Sequence, residues 1–177
     1  MGCSISWVGL NMPRSSALEM MGFRDTGLAD EVNEAPYSIA SLPSGWSIIR
    51  ANDFDYASHA DTLRRSSETL MIGCQVEEHV MFSACHAAQN GRMMWKAWHD
   101  AQRGIYDIQT SGSVPAEFAA LVAAQRREQD ADGGADGEVD HLFDAPIHLA
   151  AALTGYSHDH DDAEGGEPQF TAIERSR

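Results

Sequence analysis

The stretch from residue 69 to residue 110 constrains this chain more than any other, because it reads as antiparallel strands joined by tight turns. Leu70, Ile72, Cys74, Val76, Val80, Phe82 and Ala84 share one parity, the period-two signature of a strand with one buried face. Asn90-Gly91 follows, a dipeptide suited to the type I′ turn of a two-residue hairpin because both positions tolerate positive φ. The returning stretch sets Met93, Trp95 and Ala97 on one face and Met94, Lys96 and Trp98 on the other. A second turn at Gln102-Arg103-Gly104 leads into Ile105–Thr110, where apolar parity changes. That change predicts a turn or bulge rather than one long strand, so the region reads as an antiparallel meander.

The remaining signals are shorter. Cys3–Leu10 alternates Cys3, Ile5 and Trp7 onto one face, as a strand does. A helix is expected from Pro13 to a stop at Gly22, since proline suits the first turn and glycine the end. Residues 24–36 are polar and end at Pro36, the composition of a loop. Tyr37–Leu42 and Trp46–Ala51 flank Leu42-Pro43-Ser44-Gly45, a β-turn between two hairpin strands. Ser58 with Asp61 resembles a capping box opening a short helix to Ser66. Pro115 opens another helix with Phe118, Leu121 and Val122 as its apolar stripe, residues 130–138 form a glycine- and acid-rich linker, and a last short helix runs from Pro146 to Thr154. The expected class is α+β: an antiparallel β-meander sheet with short helices packed on one face. Residues 1–156 form the domain and 157–177 a flexible acidic tail.

Composition narrows the functional classes. With 177 residues, 43% of them hydrophobic, there is enough apolar surface for one core. No apolar run approaches the roughly 18 residues of a membrane helix, and no secretory signal pattern opens the chain, which favours a soluble cytoplasmic protein and no membrane partner. Cys3, Cys74 and Cys85 are odd in number and lack paired short spacing, which fits reduced structural thiols and disfavours a zinc site on these cysteines. The formal charge of −15 is unevenly spread. Residues 1–127 hold 14 acids against 10 bases, whereas residues 128–177 hold 13 acids against Arg175 and Arg177. Such a field repels a phosphate backbone, excluding nucleic acid as partner, and attracts basic protein. Arginine outnumbers lysine by 11 to one, the residue bias of a GC-rich bacterial genome.

Several clusters carry candidate chemistry. Continuing the Asn90-Gly91 hairpin as a two-residue turn sets His99 across from Phe82, Asp100 across from Met81, and, at its limit, Arg103 across from Glu78. Glu78, His99 and Arg103 would then put a carboxylate, an imidazole and a guanidinium on one sheet face, the raw material of an acid–base site; the structural counterpart is a buried ion pair that fixes register. The run Ser157-His158-Asp159-His160-Asp161-Asp162 alternates imidazole and carboxylate, with His158 and His160 as the metal-ligand candidates, although a flexible segment provides no preformed geometry. Met1-Gly2-Cys3-Ser4-Ile5-Ser6 matches an N-myristoylation pattern without the basic patch that would assist it. Asn52-Asp53-Phe54-Asp55 is equally a turn and a pocket edge. Phosphate loops, GxSxG, HExxH and EF-hand loops are absent from the sequence, and no cofactor is implied.

Ser6-Trp7-Val8, Leu42-Pro43-Ser44-Gly45-Trp46, Ala51-Asn52-Asp53-Phe54-Asp55, Cys74 to Ser83, His99 to Tyr106, Pro115-Ala116-Glu117-Phe118, Phe143-Asp144-Ala145-Pro146 and Leu153-Thr154-Gly155-Tyr156 together resemble an uncharacterised family of bacterial cytosolic proteins. The resemblance spans most of residues 6–156 and implies a bacterial, cytosolic protein; no activity or site residue comes with it. The expected function is therefore a non-catalytic, acidic protein-binding domain of the immunity or inhibitor type, neutralising a basic partner. The alternative is a small enzyme using Glu78, His99 and Arg103.

Overall fold

The computed structural model describes residues 2–159 and 168–176. Along the chain the elements are β1 (Ser4–Leu10), α1 (Arg14–Met21), β2 (Phe23–Ala29), β3 (Tyr37–Ser41), β4 (Ser47–Ala51), α2 (Ala60–Arg64), β5 (Met71–Glu77), β6 (Phe82–Gln89), β7 (Arg92–Asp100), β8 (Ile108–Gly112), α3 (Glu117–Ala131), α4 (Asp144–Thr154) and β9 (Thr171–Arg175). The nine strands form one sheet in the order β2-β9-β3-β4-β1-β5-β6-β7-β8, and every pairing is antiparallel. The molecule is thus an α+β fold with short helices. Among the described residues no helix is long and apolar enough to cross a membrane.

The meander β5-β6-β7-β8 is present, with two changes of detail. What reads as one strand over 70–84 is two, because β5 ends at Glu77 and pairs back onto Phe82 at the start of β6. Four residues, 78–81, connect the two strands, and Cys74 opposes Cys85. The face taken by even-numbered residues in β5 is therefore taken by odd-numbered ones in β6, and the shared parity read over 70–84 spans two opposite faces. At the other end of β6, Asn90 (φ 51°) and Gly91 (φ 75°) adopt the expected left-handed pair, and Gln89 opposes Arg92. A bulge between Ala87 and Ala88 then shifts the register by one residue, so His99 lies opposite Ser83 rather than Phe82, and Asp100 opposite Phe82 rather than Met81. An extra residue on one strand displaces every partner beyond it.

Strands β1, β5 and β6 are buried on both faces, which requires cover on each side. The helices, expected on one face, divide between the two. On the first face Ile5, Trp7, Ile72, Cys74, Val76 and Ala97 pack with Phe118 of α3 and with Ile147 and Leu149 of α4. On the second, Val8, Leu10, Ile49 and Met71 pack with Ala17 and Met21 of α1 and with Tyr56 and Ala57. Each fully buried large aliphatic side chain contributes roughly 1.5–3 kcal/mol, so both layers are needed for one sheet to persist.

Two short elements differ from their sequence signals. Residues 24–36 were expected as loop, yet β2 occupies the sheet edge; its side chains from Arg24 to Ala29 are largely exposed, so no apolar alternation advertises it. The cap of α2 is His59, whose Nδ1 accepts from the Asp61 N–H at 3.3 Å, and not Ser58. Within the expected tail, residues 171–175 form β9, which inserts between β2 and β3. Ile173 is buried there, and the Arg175 guanidinium lies 4.3 Å from the Phe23 ring centre and 5.1 Å from that of Tyr37. Phe170, Ala172 and Ile173 in a largely polar stretch are too small a signal to announce a strand.

Candidate functional site

The structure gives Glu78, His99 and Arg103 separate environments. Glu78 follows β5, and its Oε2 accepts the Cys3 N–H at 2.7 Å; the Glu78 N–H in turn donates to the Cys3 carbonyl at 3.0 Å. His99 is fully buried on the α3/α4 side of β7. Its Nδ1 lies 2.7 Å from the Asp107 carbonyl and its Nε2 2.8 Å from Asp140 Oδ2. Both partners accept, so the two bonds together require a hydrogen on each ring nitrogen or a proton on Asp140. Arg103 is exposed in the turn after β7, its Nε 3.5 Å from Asp107 Oδ1. His99 and Arg103 therefore meet the same residue through different groups, while Glu78 is held elsewhere. The register argument fails at the bulge and again at Ala101–Gly104, where the chain turns instead of continuing.

Asp140 is the residue that sequence reading missed. Besides holding His99 it accepts the Phe143 N–H at 3.3 Å, capping the 3₁₀ turn His141–Phe143. An aspartate just before His-Leu-Phe is a cap signal, and that signal was available.

Of the two candidate metal ligands, His158 lies beside Cys3 and Glu78: one ligand atom from each of the three falls within 4.8 Å of the others. His160 lies outside the described residues. Burial, followed by the charge of Glu78, pushes the Cys3 thiol up to about 11. Cys74 and Cys85 are free, fully buried and directly opposed across β5 and β6, and burial raises both thiols.

The acidic excess has a definite place. Residues 130–138, expected as a linker, instead continue α3 to Ala131 and then form a 3₁₀ turn at Gly134–Asp136. Glu128, Asp130, Asp132, Asp136 and Glu138 are all exposed there. Beneath them Gln129 is fully buried and serves as the anchor. Its Nε2 donates to the Gly134 and Val139 carbonyls at 2.8 and 3.0 Å, and its Oε1 accepts the His141 N–H at 2.9 Å. No base stands in the last turn of α3, so the carboxylates add to the negative end of the helix macrodipole instead of cancelling it. His141 lies 3.0 Å from Asp132 and 3.6 Å from Glu128, and the Tyr106 hydroxyl donates to Asp130. At the start of α4, burial first, then the charges of Asp159 and Asp140, raise the Asp144 carboxyl above its ordinary range against His148 and His141.

Two concavities among the described residues are lined by none of the three catalytic candidates. A cleft of about 170 Å³ is bordered by Asp30, Asn33 and Phe170, and an open one of about 480 Å³ by Asp61, Arg64, Arg65 and Arg175. Lys96, the one lysine of the chain, spends its ammonium on aromatic rings, 5.7 Å from the centre of Phe82 and 5.6 Å from that of Trp98, and burial lowers it below the ordinary lysine range.

No family model matches the chain, and neither does any curated protein or solved structure.

Proposed function

We propose that this chain is a non-catalytic protein-binding domain, of the immunity or inhibitor type, that neutralises a basic partner through the acidic face formed by the end of α3, the Gly134–Asp136 turn and the start of α4. The supporting observation is the buried Gln129 clamp. It holds five exposed carboxylates on a short ordered segment, so that little ordering entropy is spent when a cationic surface docks. Complementary charge of this kind acts mainly on the association rate and on partner choice. The domain works in the bacterial cytosol, where Cys3, Cys74 and Cys85 stay reduced. The enzyme alternative has less support, because His99 is fully buried and Glu78 is bound to a different element.

The test is a tagged pull-down from host lysate at low and high salt, comparing wild type with the combined D130N, D132N, D136N and E138Q variant. One basic protein in stoichiometric amount, lost at high salt and lost to the variant, is the expected result. Recovery of that protein by the variant at wild-type level, or of no protein at either salt, overturns the reading.

A further inference from the structure

The second result concerns the N-terminal end of β1 and uses none of the five carboxylates around Gln129. Three side chains with different donor atoms meet there: the Cys3 thiol, the Glu78 carboxylate and the His158 imidazole, each half-buried, with ligand atoms within 4.8 Å of one another. They come from three separate parts of the chain, so their sequence spacing carries no metal signature. The fold supplies the convergence. Ser4 pairs with Glu77 in the β1–β5 ladder, and one step further the Glu78 N–H bonds the Cys3 carbonyl at 3.0 Å. This backbone pairing sets thiol and carboxylate side by side. His158 arrives from the end of α4, where Gly155 at φ 81° turns the chain out of the helix. Tyr156 is buried two residues before it and packs edge-on against Trp7 of the same strand, with ring centres 5.1 Å apart. The chain leading to His158 is thereby packed against β1 as well.

We propose that Cys3, Glu78 and His158 form a site for a divalent transition-metal cation, with zinc the best match. A sulfur, a nitrogen and an oxygen donor together suit a borderline-soft ion and fit magnesium or calcium poorly. Bond lengths of about 2.0–2.3 Å around a tetrahedral zinc put the ligand atoms roughly 3.3–3.8 Å apart, so from within 4.8 Å of one another they close by up to about 1.5 Å through side-chain rotation. A thiolate and a carboxylate balance the two positive charges of the ion, with the imidazole neutral. The backbone N–H of Cys3, 2.7 Å from Glu78 Oε2, orients the carboxylate as an outer partner does in established metal sites. Three protein ligands on half-exposed side chains leave the fourth position for water or for an external donor. Cys74 and Cys85 are fully buried and do not contribute.

Cobalt(II) is the probe, titrated into the chelator-stripped full chain and followed by absorption, then displaced by zinc. The expected complex has one cobalt per chain, a thiolate-to-cobalt charge-transfer band in the near ultraviolet and the visible bands of tetrahedral coordination. In Cys3→Ser the charge-transfer band disappears and affinity falls at least about tenfold. In His158→Gln affinity falls by a similar factor while the charge-transfer band remains, and circular dichroism without metal matches wild type. Since Cys3 sits at the start of a core strand, His158→Gln decides the matter by itself should Cys3→Ser fold poorly. Binding without a thiolate band, binding unchanged in His158→Gln, or no binding by wild type each overturns the proposal. A band-free complex is what the imidazoles and carboxylates of the 157–162 run would give by themselves.

Discussion

The two faces of the sheet are covered in opposite ways. On one, α3 and α4 lie over apolar side chains, and a helix satisfies its own backbone, so the sheet beneath it presents methyl groups, indole and thiols. On the other, the cover beside α1 is the stretch Asp53–Ser58, whose single 3₁₀ turn pairs only part of its backbone. The sheet supplies their partners from three adjacent strands. Ser6 Oγ on β1 donates to the Asp53 carbonyl at 2.7 Å and accepts the Ala57 N–H at 3.0 Å. Gln75 Nε2 on β5 donates to the Phe54 carbonyl at 3.0 Å, and His86 Nε2 on β6 lies 3.0 Å from the Ala57 carbonyl. Ser6, Gln75 and His86 are all buried. Polar residues in a core are thus explained by what lies over them, since a buried unpaired carbonyl or N–H costs about 1–3 kcal/mol.

The helical face also has buried polar contacts, among them Ser83 Oγ donating to the Phe143 carbonyl at 2.6 Å and His99 with Asp140, and removing the last is the largest change expected. Asp140→Ala leaves His99 Nε2 without its acceptor and uncaps the turn before α4, and should destabilise by about 3–5 kcal/mol in urea unfolding. A loss under 1 kcal/mol would mean that packing of α4 alone holds this face. On the polar face the close approach is at Gly73, which opposes His86. An added Cβ there would fall 2.2 Å from Cε1 and 2.3 Å from Nε2 of the imidazole. Gly73→Ala should therefore cost about 3 kcal/mol, by overpacking and by loss of the Ala57 bond.

Acid distinguishes the faces as well. Burial, reinforced by the charge of Lys96, lowers His86 to about 4, against about 6.5 in an unfolded chain. The folded state then binds fewer protons than the unfolded one in that window, so this contribution is complete above pH 6.5 and is lost as pH falls toward 4. By pH 5 the loss is about 2 kcal/mol, and the slope should shrink by about one proton in His86→Gln. Equal slopes for the two proteins would place the acid sensitivity elsewhere. Ser6→Ala, which orphans the Ala57 N–H and leaves the Asp53 carbonyl only the 3.3 Å bond from the Tyr56 N–H, should cost about 1–2 kcal/mol and speed hydrogen exchange at Ala57 first. Smallest is the combined D130N, D132N, D136N and E138Q change, expected within about 0.5 kcal/mol of wild type; a larger destabilisation would show that these carboxylates serve folding rather than a partner.

The meander, both hairpin turns and the helix-stopping glycines could be read in the sequence because each is local: Asn90-Gly91, Leu42-Pro43-Ser44-Gly45 and Gly22 act within four residues of themselves. What could not be read depends on distant pairing. The bulge at Ala87–Ala88 moved His99 away from the partners that a plain register gives. Glu78 met Cys3 through a ladder between residues 75 positions apart. Strands β2 and β9 have few apolar side chains, and their place follows from hydrogen bonds to each other and to β3, which no periodicity encodes. The acidic excess was legible as charge, but its rigid presentation was not, because that depends on a buried glutamine.

β9 also sets an order of events. Thr26 and Ala172 are 146 positions apart, yet the Thr26 hydroxyl donates to the Ala172 carbonyl at 2.7 Å. During synthesis β2 and β3 exist long before residues 171–175 leave the ribosome, and between them lies a slot one strand wide with hydrogen-bonding groups along both sides. Until that slot closes, each nascent chain presents two open edges to its neighbours on the same messenger. Closure therefore waits on residues 171–175, and a chain halted after α4 leaves a gap in the sheet that a strand from another molecule can fill.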